Sequence, residues 1–154
     1  MSIRIIRTAL CFSLFSVAWM LGCENNKSLR MVVVEGTLLL NDKPLPNALI
    51  EFMPELKGYG AEMNSTAVTD SSGKFKLMRG NEPGAVVAMH RVVVNEGPPP
   101  SGTRGQDAAS QAKLTEYVKS LTNRPIPEKF SNYSATPLRV EINEENRNLT
   151  LMLK

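Results

Sequence analysis

The apolar positions alternate over short stretches, and turn residues interrupt them at close intervals. Met31 to Leu40 (MVVVEGTLLL) is rich in β-branched and apolar residues and predicts a first strand, with Gly36 marking a bulge. Asn41-Asp42-Lys43-Pro44 is turn chemistry. Ala48 to Met53 predicts a second strand with Ala48, Ile50 and Phe52 on one face, ended by Pro54. Met63–Thr69 and Lys74–Leu77 flank Asp70-Ser71-Ser72-Gly73, which predicts a hairpin. Asp70 accepts backbone N–H bonds in the turn and Gly73 takes the left-handed conformation that closes it. Ala85 to Val94 (AVVAMHRVVV) lacks a polar face and predicts a central strand.

After a proline-stiffened loop, Asn95 to Gly105, the period changes. Leu114, Tyr117, Val118 and Leu121 follow the i, i+3, i+4, i+7 spacing of a helix, with Asp107 as its N-cap and Asn123 and Pro125 at its end. Such a stripe packs on its own sheet or covers an edge strand. Leu138–Ile142 and Leu149–Leu153 predict the last strands. About seven strands at this spacing predict an all-β, antiparallel sandwich with one short helical insertion, about residues 106–123, before the last strands.

The first thirty residues follow neither period. Arg4 and Arg7 precede an uncharged apolar run, Thr8 to Met20, too short for a membrane span and suited to a signal peptide. Leu21-Gly22-Cys23 follows, and then the polar stretch Glu24 to Arg30. This arrangement resembles a bacterial lipobox, with Met20 where leucine is commonest and Leu21 where a small residue is commonest. The resemblance implies cleavage between Gly22 and Cys23 and lipidation of the Cys23 sulfur. Residues 1–22 are then a signal peptide, 23–30 a tether reaching about 25 Å, and 31–154 one domain. Two or more acyl chains make a stable anchor. The implied location is the bacterial cell envelope, facing the periplasm or the cell surface. Glu24 in place of an aspartate favours the outer membrane.

Composition changes this picture in three ways. Hydrophobic residues at 42% and charged residues at 21% describe a globular chain. The net charge of +3 falls once the leader is set aside: 18 basic side chains less Arg4 and Arg7 leave 16 against 15 acidic ones. No clustered basic face is left for nucleic acid. Of the two cysteines, Cys11 leaves with the leader and Cys23 takes lipid, so none remains for a disulfide or a metal site.

The domain resembles the carboxypeptidase regulatory-like, transthyretin-like (prealbumin-like) β-sandwich of planctomycete-type lipoproteins. Gly36-Thr37-Leu38 through Lys43-Pro44-Leu45-Pro46-Asn47-Ala48 to Phe52 and Pro54 carries the opening motif. Thr69-Asp70-Ser71-Ser72-Gly73-Lys74-Phe75-Lys76-Leu77 carries the middle one. Pro83-Gly84, His90 to Val94, Ile126 to Phe130 and Thr136-Pro137-Leu138 carry the closing part. Two family glycines are replaced by Asp42 and Asn47, the residue types that best tolerate a left-handed turn. The resemblance implies an accessory, adhesive or ligand-binding module, with no enzymatic role.

Direct signs of chemistry are few. His90 is the only histidine and alternates with Val92 and Val94, which places it as a core or edge residue. A hydrolase built on His90 is the remote alternative, and no G-x-S-x-G elbow supports it. Asp70 offers one carboxylate, too few for calcium. No metal or cofactor is implied. A glycan or an envelope protein is the expected partner of a binding module, and Tyr59, Phe130 and Tyr133 are the candidate contact aromatics.

Overall fold

In a computed structural model the described residues are 29–154; Gly22 and Cys23 lie outside them. Twelve strand segments and one helix follow in chain order. They are β1 (Met31–Val32), β2 (Glu35–Leu40), β3 (Lys43–Pro44), β4 (Ala48–Pro54), β5 (Ser65–Val68), β6 (Lys74–Lys76), β7 (Met78–Arg79), β8 (Glu82–Pro83), β9 (Ala85–Val86), β10 (Ala88–Glu96), α1 (Ala108–Ser120), β11 (Arg139–Ile142) and β12 (Asn148–Leu153).

Two main sheets face each other. One runs β11-β10-β4-β5-β7-β8. The other runs β12-β2-β3, with β6 also paired to β2. A separate two-residue pairing joins β1 to β9. Alternation decides what lies between the sheets. Ile50, Phe52, Val92 and Val94 come from the first, Leu38, Leu40, Leu151 and Leu153 from the second, and all are buried in one cluster. Burying each such side chain contributes about 1.5–3 kcal/mol, so this cluster dominates the stability of the sandwich. β10 is paired on both flanks, by β4 and β11, as a central strand is, and its run Val92–Val94 is buried throughout.

Three details depart from the sequence expectation. Gly36 stays in register with both Phe75 and Leu149, so there is no bulge. A Cβ on it would lie 2.7 Å from Cζ of Phe75 and 2.4 Å from the Leu149 carbonyl oxygen. Glycine is there because a ring and a neighbouring backbone occupy the side-chain space.

The Asp70–Gly73 turn has the expected geometry. Asp70 Oδ1 accepts from the N–H groups of Ser72 (2.7 Å) and Lys74 (2.9 Å), and Gly73 has φ +73°. It does not close a hairpin, however. β5 pairs with β4 and β7 while β6 pairs with β2, so the turn carries the chain from one sheet to the other.

The sandwich is antiparallel except at one pair: β12 runs parallel to β2. The turn Asn143–Arg147 crosses from β11 to the second sheet at the end where β2 also begins, so both strands leave that end in the same direction. Arg147 marks the arrival by accepting from the Glu35 N–H at 3.0 Å.

The topology gives the sandwich two distinct ends. At one, the chain enters: Val87 donates to the Arg30 carbonyl at 2.8 Å, and the Arg30 guanidinium pairs with Glu144. At the other lie the turns after β2 and β5, the segment after β10, and α1. The nine residues of β10 separate the two ends by about 30 Å.

Candidate functional site

The end opposite the chain entry holds a groove, and turn chemistry builds it. Asn41, Asp42 and Asn47 all have positive φ, at 52°, 64° and 48°. The non-glycine residues at 42 and 47 thus hold left-handed turns, as their short polar side chains allow. Buried Thr69 ties these turns to the core. Its hydroxyl donates to the Leu45 carbonyl (2.7 Å) and accepts from the Ala48 N–H (2.8 Å).

α1 is attached to this scaffold by few points. Asp107 caps it as expected, its Oδ1 accepting from the Ser110 N–H at 2.9 Å. The Ser110 hydroxyl, and after it that capping bond, hold the Asp107 carboxyl below its ordinary range. The apolar stripe is only partly used. Leu114, Tyr117 and Leu121 are half-buried, but Val118 is 56% exposed and no helix residue is buried. Polar contacts do the fastening. The Asn47 side-chain amide donates to the Tyr117 hydroxyl, which in turn donates to the Gly97 carbonyl at 3.4 Å.

After the helix, Asn123 (φ 59°) turns the chain and donates to the carbonyls of Leu40 (2.9 Å) and Lys43 (3.0 Å). Arg124 then donates to Glu96 Oε2 (2.7 Å) and to the Pro46 carbonyl (2.8 Å). In the sequence Asn123 signals only a helix end, and Arg124 carries no signal of its own. The close succession of a turn-prone asparagine and an arginine was the available hint of a clamp.

Three clefts adjoin across this region. One of about 340 Å³ lies between the Pro100–Thr103 loop and α1, walled by Lys113, Glu116, Tyr117 and Ser120. The next, about 400 Å³, shares Tyr117 and Ser120 with it and adds Asn47, Ser71, Leu121 and Thr122. The third, about 470 Å³, shares Ser71 and Thr122 and adds Lys43, Pro44 and Asn123. Together they form an open groove whose walls mix hydroxyl and amide groups with prolines and Leu121, with a few charges at its rims and one aromatic ring, that of Tyr117. Such walls offer paired donors and acceptors to a neutral polar ligand. The periodicity placed Tyr117 in a packing stripe. Its amphipathic ring, apolar body with polar tip, was the sign of a boundary position.

The three expected contact aromatics are not brought together in this groove. Phe130 is a correction: at 1% exposure it is a core residue, because the 3₁₀ turn Glu128–Phe130 folds it inward against β10. Tyr133 is 44% exposed, yet its ring carries the Arg91 guanidinium at 4.7 Å and its carbonyl accepts from Arg91 at 3.0 Å. Tyr59, 39% exposed, sits on the loop after β4.

His90 is 0% exposed and lines none of the three clefts. Its Nε2 donates to the Val86 carbonyl at 2.8 Å and its ring lies 5.8 Å from that of Phe52. Burial pushes its pKa below 6.5, outweighing the carbonyls of Val86 and Phe52, which favour the proton. An imidazole sealed in the core has no route to a substrate, so the hydrolytic alternative loses its base. Asp70 Oδ1 is engaged by its own turn. Among the described residues no group of three or more His, Cys, Asp or Glu is placed to hold a metal ion, and no helix is long and apolar enough to cross a membrane.

No protein-family model, no curated protein and no solved structure matches this chain.

Proposed function

We propose that the protein is a cell-envelope lipoprotein, anchored through Cys23, whose β-sandwich is a non-catalytic interaction module. One observation supports this reading most: the polar groove lies at the end of the sandwich opposite the chain entry, about 30 Å away along β10. A chain held at Cys23 by the tether 24–30 leaves that groove free of the bilayer. The lipobox resemblance of Leu21-Gly22-Cys23 and the carboxypeptidase regulatory-like motifs point the same way.

The hydroxyl and amide groups in the groove's walls favour a neutral polar ligand, an envelope glycan or an uncharged peptide segment. Metabolic labelling with an acyl analogue tests the anchor. Label is expected on the intact chain and absent from Cys23→Ala; equal labelling of both rejects it. Thr122→Trp, which fills the shared wall of two clefts, tests the ligand. Capture of envelope glycans or peptides by the wild type and its loss in this variant is the expected result. A flat screen for both rejects the binding role.

A further inference from the structure

Among the described residues β12 is an edge of its sheet. Parallel pairing with β2 engages the backbone groups of alternate residues. The Glu35 N–H donates to Arg147, the Asn41 N–H donates to Leu153, and Leu149 and Leu151 lie between them in the same phase. The N–H and C=O groups of Asn148, Thr150 and Met152 therefore point outward. Among the described residues no strand pairs with them and no backbone group bonds to them.

An open edge invites strand addition, and proteins blunt such edges with charges, prolines or very short strands. The other edges here follow that rule. β11 carries Arg139 and Glu141, β8 is Glu82–Pro83, β3 is Lys43–Pro44, and β6 carries Lys74 and Lys76. β12 alone, Asn148-Leu149-Thr150-Leu151-Met152-Leu153, has six residues with neither charge nor proline.

We propose that this edge pairs with the same edge of a second copy, antiparallel and centred on Thr150. In that register Thr150 faces Thr150, a favourable cross-strand pair, and Asn148 faces Met152. All three are the residues whose backbone groups point outward, so they form the hydrogen-bonded pairs, with about six inter-chain bonds. The flanking Arg147 and Lys154 meet Leu153 and Asn146, and no like charges face each other. The buried row Leu149, Leu151, Leu153 continues into the partner's, fusing two sheets into one. The two-fold axis is normal to the sheet, so the strands of the two copies run in opposite directions, and the pairing does not need a membrane. A six-residue edge falls well short of the roughly 1,600 Å² of a standard interface, so the dimer is concentration-dependent.

The test uses the full chain in density-matched detergent, by sedimentation equilibrium from about 1 to 300 µM. A doubling of the protein mass is expected for the wild type. Thr150→Lys, which opposes two charges at the axis on an exposed position, is expected to stay monomeric with an unchanged far-ultraviolet spectrum and melting curve; Met152→Lys serves if it misfolds. Oxidation of Thr150→Cys is expected to give a 150–150 link, mapped by peptide mass spectrometry. Thr66→Cys, exposed on a strand paired on both flanks, is expected to give none. A wild type monomeric throughout, a dimer unaffected by lysine at 150 or 152, or equal linkage at 66 and 150 overturns the proposal.

Discussion

Arg91 of β10 stands directly opposite Arg139 of β11, two like charges in register on one face of an antiparallel pair. Such an arrangement is destabilising by itself. Glu55, at the end of the neighbouring strand, resolves it: one carboxylate oxygen accepts from Arg139 at 2.6 Å and from Arg91 at 3.1 Å. The bond from Arg139, followed by that from Arg91, holds the Glu55 carboxyl below its ordinary value of 4.5 despite some opposing desolvation. Glu55→Gln is expected to lower the melting temperature at low ionic strength, with the difference shrinking towards about 1 M salt. Urea unfolding at two salt concentrations checks it. The folded-state pKa is depressed, so this contribution is complete above pH 4.5 and is lost as pH falls through the lower folded value. A Glu55→Gln chain that melts with the wild type at low salt contradicts the account.

His90 predicts a pH dependence in a higher window. Its folded pKa lies below 6.5 because burial disfavours the imidazolium. In acid the unfolded chain takes up a proton that the folded chain refuses, so stability is full above pH 6.5 and declines as pH falls below it towards the folded pKa. His90→Leu is expected to flatten the decline between about pH 7.5 and 5.5, a range in which ordinary carboxylates do not titrate. Denaturant titrations at the two pH values read the difference directly. A slope unchanged by the substitution assigns the decline to another group.

The fold was legible wherever one strand face or one turn decides the matter. Ile50 and Phe52 face inward as period two requires, Asp107 caps α1, and Asp42 and Asn47 sit in left-handed turns. Pairing partners were not legible, because a turn such as Asp70–Gly73 has the same residues whether it closes a hairpin or crosses between sheets. The groove was the least legible part. Its walls come from positions 43–47, 69–71, 100–103 and 113–123, brought together by Asn47, Asn123 and Arg124 through contacts that span some seventy to eighty residues. Phe130 shows the converse: an aromatic in a polar loop context still turned inward, because the core had room for it.

Gly36→Ala tests the close approach of Phe75. The new methyl group meets a carbonyl oxygen at 2.4 Å and an aromatic carbon at 2.7 Å, and backbone must move to admit it. Overpacking of this kind costs typically about 1–3 kcal/mol. Phe75→Leu in the same chain relieves the ring contact but not the contact with Leu149. The double variant is therefore expected to recover part of the clash while paying for lost core volume. A double-mutant cycle by chemical denaturation reads the coupling, and strict additivity would show that ring and methyl do not compete for the same space.

Thr69→Val and Tyr117→Phe separate the groove's foundation from its wall. Thr69 is buried with both hydroxyl bonds made, to Leu45 and Ala48. Valine keeps the shape and strands a buried carbonyl and N–H, so global stability is expected to fall by about 1–3 kcal/mol. Tyr117 has its hydroxyl bonded to Asn47 and Gly97 on a helix with no buried residue. Phenylalanine there releases the polar fastening of α1 and leaves the sheets untouched. The expected result is an unchanged unfolding midpoint with faster amide exchange confined to residues 108–120, because local opening of a weakly docked element costs far less than global unfolding. If Tyr117→Phe instead lowers the global midpoint as much as Thr69→Val, the helix is part of the cooperative core. Its fastening then supports the sandwich itself and not only the groove.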